Sequence, residues 1–463
     1  MLRDNALAGF PASQPPFCWG RKLFLPLFRT LAMDSYTPLI SQEKLTEYRR
    51  IFHRHAETGM AEFWTTARIA EELEGFGLSP VTGDAVTAPE ARMGVPAPEV
   101  MRAARSRAEQ EGASPRLLER MNGVTGLVAD LRPDLPLRTV LRFDIDAVDV
   151  QESRSPEHLP NREGFASLHE GICHACGHDG HIALGLGLAH ELARLRGSLT
   201  HNVRLLFQPG EEGCRGARAM AAAGWLEGAR HFLAAHIGMW AREDHALVCG
   251  AHGFLATTKF DVEFTGRAAH AGAEPQKGAN SLLAAASAAL NMHALPRHGE
   301  GDSRITVGML EAGSGRNIIP DHARMLCETR GATTAVNDYM FEHCRSIIEH
   351  TAAMYEQRCR IRLMGGSDSA DSDPSMIRII REAATSVPWF REELIRDSAP
   401  GFGSDDACVP MAAVQKQGGN AAYLMLGSRL AAGHHAPDFD FHEEVLLPSV
   451  ALLTTVVLAL DRD

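Results

Sequence analysis

Four short stretches of the chain hold residue types that can bind a metal ion or move a proton. They are "HACGHDGH" (174–181), "PGEEG" (209–213), "AAHIG" (234–238) and "GHHAP" (433–437). A thiolate and imidazoles are good ligands for Zn²⁺ or another borderline divalent ion. One thiolate or carboxylate can also bridge two metals roughly 3.5–4 Å apart. A hydrolase of that kind needs, in addition, a proton shuttle that is not consumed as a ligand. The adjacent Glu211 and Glu212 offer that division, one binding metal and the other acting as general base and then acid. Taken singly, each signal is weak: a Cys-x-His is more often structural, and a Glu-Glu pair is usually solvated. A nucleophilic Cys176 with a histidine base is a competing reading, because the cysteine precedes a helix whose positive end favours thiolate. That reading leaves the Glu pair and the distant histidines without a task. Cys173, Cys214 and Cys249 read as structural.

The elements that would position these residues form two patterns. Residues 41–58 read as a helix capped by Ser41, and 61–76 as a second helix stopped by Gly75 and Gly77. A Pro-punctuated, then charged and Ala-rich tract at about 86–121 reads as a helical insertion. Strand-like segments follow at 126–131, 139–145, 202–208, 231–237 and 421–427, with helical patterns at 181–196 and 215–223 between them. Strands alternating with helices predict an α/β domain with a mostly parallel sheet flanked by helices. In such a sheet ligands bind beyond the carboxyl ends of the strands, and the four stretches follow or end strands. Four separate loops thus deliver Cys, His, Glu, His and His to one edge.

The middle of the chain differs. Strands at 256–266, 303–311, 322–331 and 358–365 alternate with helices at 278–295 and 334–353 in the order β-α-β-β-α-β, the ferredoxin-like split βαβ pattern. The expected organisation is a tail over 1–38, a catalytic domain in two parts (39–252 and 371–463), and an inserted α+β domain over 253–370.

Bulk composition narrows the function classes. The chain has 463 residues, 45% apolar and 22% charged, which is the profile of a soluble globular protein. A net charge of −12 argues against nucleic acid or an anionic membrane as the main partner. Nine scattered cysteines read as reduced thiols of a cytoplasmic chain. Residues 1–32 read as a disordered tail, a targeting peptide, or a stretch ahead of a true start at Met33. The apolar run 445–460 contains Pro448 and reads as a packed helix and not a membrane span.

Taken together, "HACGHDGH", "FQPGEEG", "AAHIG", "FTGRAAHAG", "GSGRNIIP" and "GHHAPDFDF" resemble peptidase family M20, in its aminoacylase and amidohydrolase branch, over nearly the whole chain from about residue 40. The motifs are specific in combination. The resemblance implies a catalytic domain with two Mn²⁺ or Zn²⁺ ions and an inserted domain that dimerises and closes over the site. It implies Cys176 as a bridging ligand, with His178, Glu212, His236 and His435 completing the set and His434 as the alternative to His435. Glu211 would be the general base and acid. His270 would reach the partner subunit's site and steady the oxyanion. Asn317 would help hold the substrate, while Arg330, or less directly Arg316, could pair with a substrate carboxylate. Asp144 could support a metal-ligating histidine. The implied reaction is hydrolysis of an N-acyl amino acid, p-aminobenzoyl-glutamate foremost, with indole-3-acetyl-amino-acid or hippurate-like substrates as the alternative. The expected assembly is a homodimer or a heteromer with a related second chain.

Overall fold

The computed structural model describes residues 36–401 and 403–462; the expectations for residues 1–32 lie outside them. A mixed sheet of eight strands forms the centre of the larger domain. Its middle is four adjacent parallel strands in the spatial order Asn202–Gln208, Leu137–Asp144, His231–Ile237 and Asn420–Leu426. These segments read as near-continuous apolar runs because helices cover both faces of the sheet. Phe207, Leu141, Leu233 and Leu424 are all buried in one core cluster. Leu127–Asp130 and Val81–Thr82 extend one side antiparallel, and the two-residue strands Leu247–Val248 and Ile395–Arg396 extend the other.

Register fixes where the loops emerge. Asp144 pairs with Gln208, and Ile237 pairs with Leu426. The carboxyl ends of all four central strands therefore lie along one edge. The helix His178–Leu195 packs down on the sheet behind that edge, and its glycines permit a close approach. A Cβ on Gly185 would stand 2.6 Å from Phe207 Cε1 and 2.9 Å from Phe143 Cδ2, so only glycine lets this helix sit so near the strands. The helix starts at His178, three residues before the start expected from periodicity, which puts His178 in its first turn. Ser41 caps the helix Gln42–Arg54 by accepting from the Lys44 amide at 3.2 Å. The 86–121 tract holds two helices, Pro98–Gln110 and Pro115–Met121, each opening on proline. The C-terminal helix Leu446–Arg462 is long and apolar enough to cross a membrane by composition, yet 67% of that window is buried against the rest of the protein.

The second sheet has four strands in the order Arg358–Ser367, Ala256–Thr265, His322–Gly331 and Ser303–Ala312, all antiparallel. Helices Ser281–His293 and Thr334–Met354 cover one face, where Phe260, Val262, Phe264, Met325 and Ile348 form a separate core. The last strand returns directly onto the catalytic loop: the Gly366 amide donates to the Cys214 carbonyl at 2.8 Å. A Cβ on Gly365 would stand 2.0 Å from the Gly213 carbonyl oxygen, so this approach requires glycine.

Candidate metal centre

The helix N-terminus carries Cys176 and His178 to the sheet edge. His236, the penultimate residue of its strand, meets them there, and Cys176 Sγ lies 3.5 Å from His236 Nε2. Hydrogen bonds aim the imidazoles. His178 Nδ1–H donates to the Asp146 carbonyl at 2.8 Å, and His236 Nδ1–H donates to the Ile237 carbonyl at 2.9 Å. Each ring is thereby held in the tautomer that leaves Nε2 with a lone pair toward the centre, the arrangement metal-binding histidines use. Nε2 of His178 is buried without a hydrogen-bond partner among the described residues. Burial, then the neighbouring His181 and His434, hold His236 well below its usual pKa, so it is a neutral donor.

The loop after Leu426 brings in His435. Its amide donates to the Ala175 carbonyl at 2.7 Å, which ties this loop to the one carrying Cys176, and its backbone is left-handed at φ 65°. His435 Nε2 lies 2.9 Å from Glu212 Oε1. Contacts with Cys176 and Glu212 push the His435 imidazole up to about 10. His434 is used otherwise: its Nε2–H donates to the Ile237 carbonyl at 3.1 Å, and burial lowers it to about 4. Two triads of donor atoms share Cys176, one with His178 and His236 and one with Glu212 and His435; Glu211 also falls in a group with His178 and Glu212 and in one with Asp405 and Asp406. Within each triad the atoms lie within 4.8 Å of one another. A shared cysteine sulfur with two imidazoles on one side and a carboxylate and imidazole on the other is a donor set for two borderline divalent cations.

Glu211 belongs to neither triad but lines the same cavity, of about 140 Å³, with Glu212, His236 and Asp405. Burial pushes its carboxyl well above the usual range, and Asp405, Glu212 and Asp406 push the same way. Three successive amides of its loop are gripped by buried carboxylates. Gly210 N–H donates to Glu62 Oε1 at 2.8 Å, and Glu211 and Glu212 donate to the two oxygens of Asp146 at 3.0 Å each. Glu62 also accepts from the Thr125 hydroxyl at 2.6 Å. Burial, then Asp146, raises the Glu62 carboxyl to about 8.

Two of the expected residues have partners within the chain. Asp144 Oδ2 lies 3.8 Å from His178 Nε2, while the Asp146 carbonyl takes the Nδ1 of that ring. Asp144 accepts from His181 Nδ1 at 2.5 Å and from Arg142 at 2.6 Å, and His181 Nε2 accepts the Ile237 amide at 3.0 Å. His181 is thus a strut between two strands. Arg330 is already held in a bidentate contact by Glu328, at 2.7 and 3.1 Å, because residues two apart on a strand share a face. The remaining inserted-domain residues stand apart from the triads. His270 is exposed, and its Nδ1 accepts the amides of Gly272 and Ala273 at 3.2 and 3.1 Å, leaving Nε2–H as an outward donor. Asn317 and Arg316 are exposed on the neighbouring loop, with the Asn317 carbonyl accepting from the Ala271 amide at 3.0 Å. Sequence reasoning missed Asp146, Glu62, Met239 and Asp405. Of these only Asp146 carried a signal, the Asp-x-Asp spacing at a strand end.

Comparison with known proteins agrees with this geometry. Residues 140–459 match the model of peptidase family M20/M25/M40. The chain is 45% identical over 418 residues to the indole-3-acetyl-aspartic acid hydrolase of Enterobacter agglomerans, covering 90% of this chain and 95% of that one. It is 44% identical over 417 residues to one of the subunits of p-aminobenzoyl-glutamate hydrolase from Escherichia coli (strain K12), with the same coverage of 90% and 95%. The crystal structure of an aminobenzoyl-glutamate utilization protein from Klebsiella pneumoniae superposes with a TM-score of 0.78 at 40% identity, over 90% of this chain and 95% of that one. A dinuclear metal binding peptidase of the M20 family from Bacillus subtilis shares the fold at a TM-score of 0.60 and 21% identity, over 90% and 98% of the two chains.

Proposed function

The chain belongs to peptidase family M20/M25/M40 and is a hydrolase of amide bonds, and from that premise we propose that it cleaves N-aroyl conjugates of an acidic amino acid, with p-aminobenzoyl-glutamate giving p-aminobenzoate and glutamate. The observation that carries this reading is the pair of triads sharing Cys176, with Glu211 beside them and outside both. A thiol nucleophile would have no use for that second triad.

The donor set fits two divalent cations, Mn²⁺ or Zn²⁺, which Cys176, His178, His236, Glu212 and His435 would hold. Bound there, such ions polarise a scissile carbonyl and make water acidic enough to supply a nucleophile at neutral pH. The protein's own groups do the rest. Glu211 takes a proton from the attacking water and returns it to the leaving amine nitrogen, and its raised basicity suits that task. Asp146 and Glu62 fix the loop that aims it. His270 of a second copy donates Nε2–H to the oxyanion, in keeping with its outward-facing ring. Asn317 and Arg316 take the amino-acid carboxylates, since Arg330 is committed to Glu328.

The 44% identical relative is by name one chain of a multi-chain hydrolase, which supports an assembly of more than one chain here. We propose a homodimer, or a complex with a related second chain. We propose a cytoplasmic setting, a reading that the eight free thiols among the described residues support. A second substrate, indole-3-acetyl-aspartate, is favoured by the relative at 45% identity. The test is a screen of N-acyl amino acids on the metal-loaded chain, alone and with a candidate partner chain. Turnover of p-aminobenzoyl-glutamate above the other conjugates, abolished by a chelator and restored by Mn²⁺ or Zn²⁺, is the expected result. Chelator-insensitive turnover that is lost on alkylating Cys176 overturns the metal reading.

A further inference from the structure

The cavity beside the triads is lined by nine side chains, and eight of them carry a thiol, imidazole, carboxyl or hydroxyl group; the ninth is Met239. The proposed substrate has two unlike ends. Its amino-acid end carries carboxylates, which cations of the inserted domain suit. Its acyl end is uncharged and apolar, and among the described lining residues Met239 is the one whose side chain carries no ionisable or hydroxyl group. A thioether is polarisable and makes favourable contacts with aromatic ring edges.

The fold holds this side chain firmly in place. Gly238 N–H donates to the Leu426 carbonyl at 2.8 Å, and Ala241 N–H donates to the Gly238 carbonyl at 2.9 Å, closing a tight turn three residues past His236. Met239 sits in that turn with φ 55°, a left-handed conformation uncommon outside glycine, and such conformations persist where the surroundings impose them. Arg242 Nε donates to the Met239 carbonyl at 2.9 Å. Behind the sulfur stands the buried Tyr423, its hydroxyl 3.9 Å from Sδ and donating to Asp405 Oδ2 at 2.6 Å. The thioether packs against this buried tyrosine where it lines the cavity.

We infer that Met239 is the acyl wall of the site and a specificity-determining residue that favours aromatic over small aliphatic acyl groups. This rests on the amidohydrolase reading above. The test compares kcat/KM for p-aminobenzoyl-glutamate and acetyl-glutamate on the metal-loaded full chain, for the wild type, Met239→Ala and Met239→Gln. The aroyl-to-acetyl ratio should fall about tenfold in both variants, the scale of discrimination a hydrophobic contact supplies. Because the ratio is read within one protein, partial loss of folded enzyme cancels, and glutamine keeps the length of methionine should alanine leave a disruptive gap. A wild type that hydrolyses both substrates, with a ratio unmoved within twofold in the variants, overturns the Met239 assignment alone. A wild type that hydrolyses neither overturns the substrate reading and this inference with it.

Discussion

Replacing Asp146 with asparagine should cripple turnover while leaving the donor triads intact. Both carboxylate oxygens of Asp146 are committed, one to the Glu211 amide and one to the Glu212 amide, at 3.0 Å each. Asparagine keeps one acceptor and turns the other into a donor, which then faces an amide donor in a buried setting. Losing a hydrogen bond to a charged group and stranding a buried N–H together cost about 2–4 kcal/mol. The His178 ring keeps its hydrogen bond to the Asp146 main-chain carbonyl and loses only the longer, 3.5 Å approach of the Asp146 carboxylate. The cost therefore falls on the geometry of the loop that aims Glu211. Expressed in the transition state it amounts to a drop of about thirtyfold to a thousandfold in kcat. The assay is steady-state kinetics on p-aminobenzoyl-glutamate, with metal content measured on the same preparation. A kcat within threefold of wild type at full metal content would refute the claim that these carboxylates position the base.

Three other perturbations separate roles that the geometry keeps apart. His435→Ala removes a donor of the second triad and should lower bound metal per chain, whereas His434→Ala, which loses only a prop on the Ile237 carbonyl, should lower it less; equal metal loss in both would contradict the assignment. Mixing His270→Ala protein with Glu211→Gln protein should regain activity that neither has alone, because one hybrid site then holds both an intact base and an intact oxyanion donor; a mixture as inactive as its parts would count against a shared site. Arg49 is fully buried against Asp179, Asp440 and Glu443 at 2.8, 2.6 and 3.1 Å, so Arg49→Ala removes the one cation paired with Asp440 among the described residues, leaves Asp179 to His53 and Glu443 to Arg50, and should cost about 3–5 kcal/mol of stability by thermal or urea unfolding. A loss under about 1 kcal/mol, the scale of a solvated ion pair, would show that water reaches the cluster.

Much of the architecture is readable from the chain because burial writes itself into local pattern. "NVRLLFQ" and "HFLAAHI" are largely apolar runs because both faces of those strands are covered, and their limits in the structure, Asn202–Gln208 and His231–Ile237, match the runs. Ala256–Thr265 alternates because only one face meets the helices of the second domain. The edge strands Leu247–Val248 and Ile395–Arg396 are too short to carry any period. The site was legible where ligands cluster in motifs that follow strands. It was not legible where support comes from afar: Asp146 holds amides 65 and 66 residues onward, and Glu62 an amide 148 residues onward. No local pattern records such a contact. Arg330 is the opposite case, its partner Glu328 standing two residues away on the same strand face.

The central claim is that Glu211 moves the proton while Cys176, His178, Glu212, His236 and His435 hold metal. Glu211→Gln tests it most directly, with metal stoichiometry and kcat measured on the same sample. The account predicts wild-type metal content with turnover reduced about 10²- to 10⁴-fold, the contribution of a positioned general base. Near-wild-type turnover, or loss of bound metal along with activity, would contradict it.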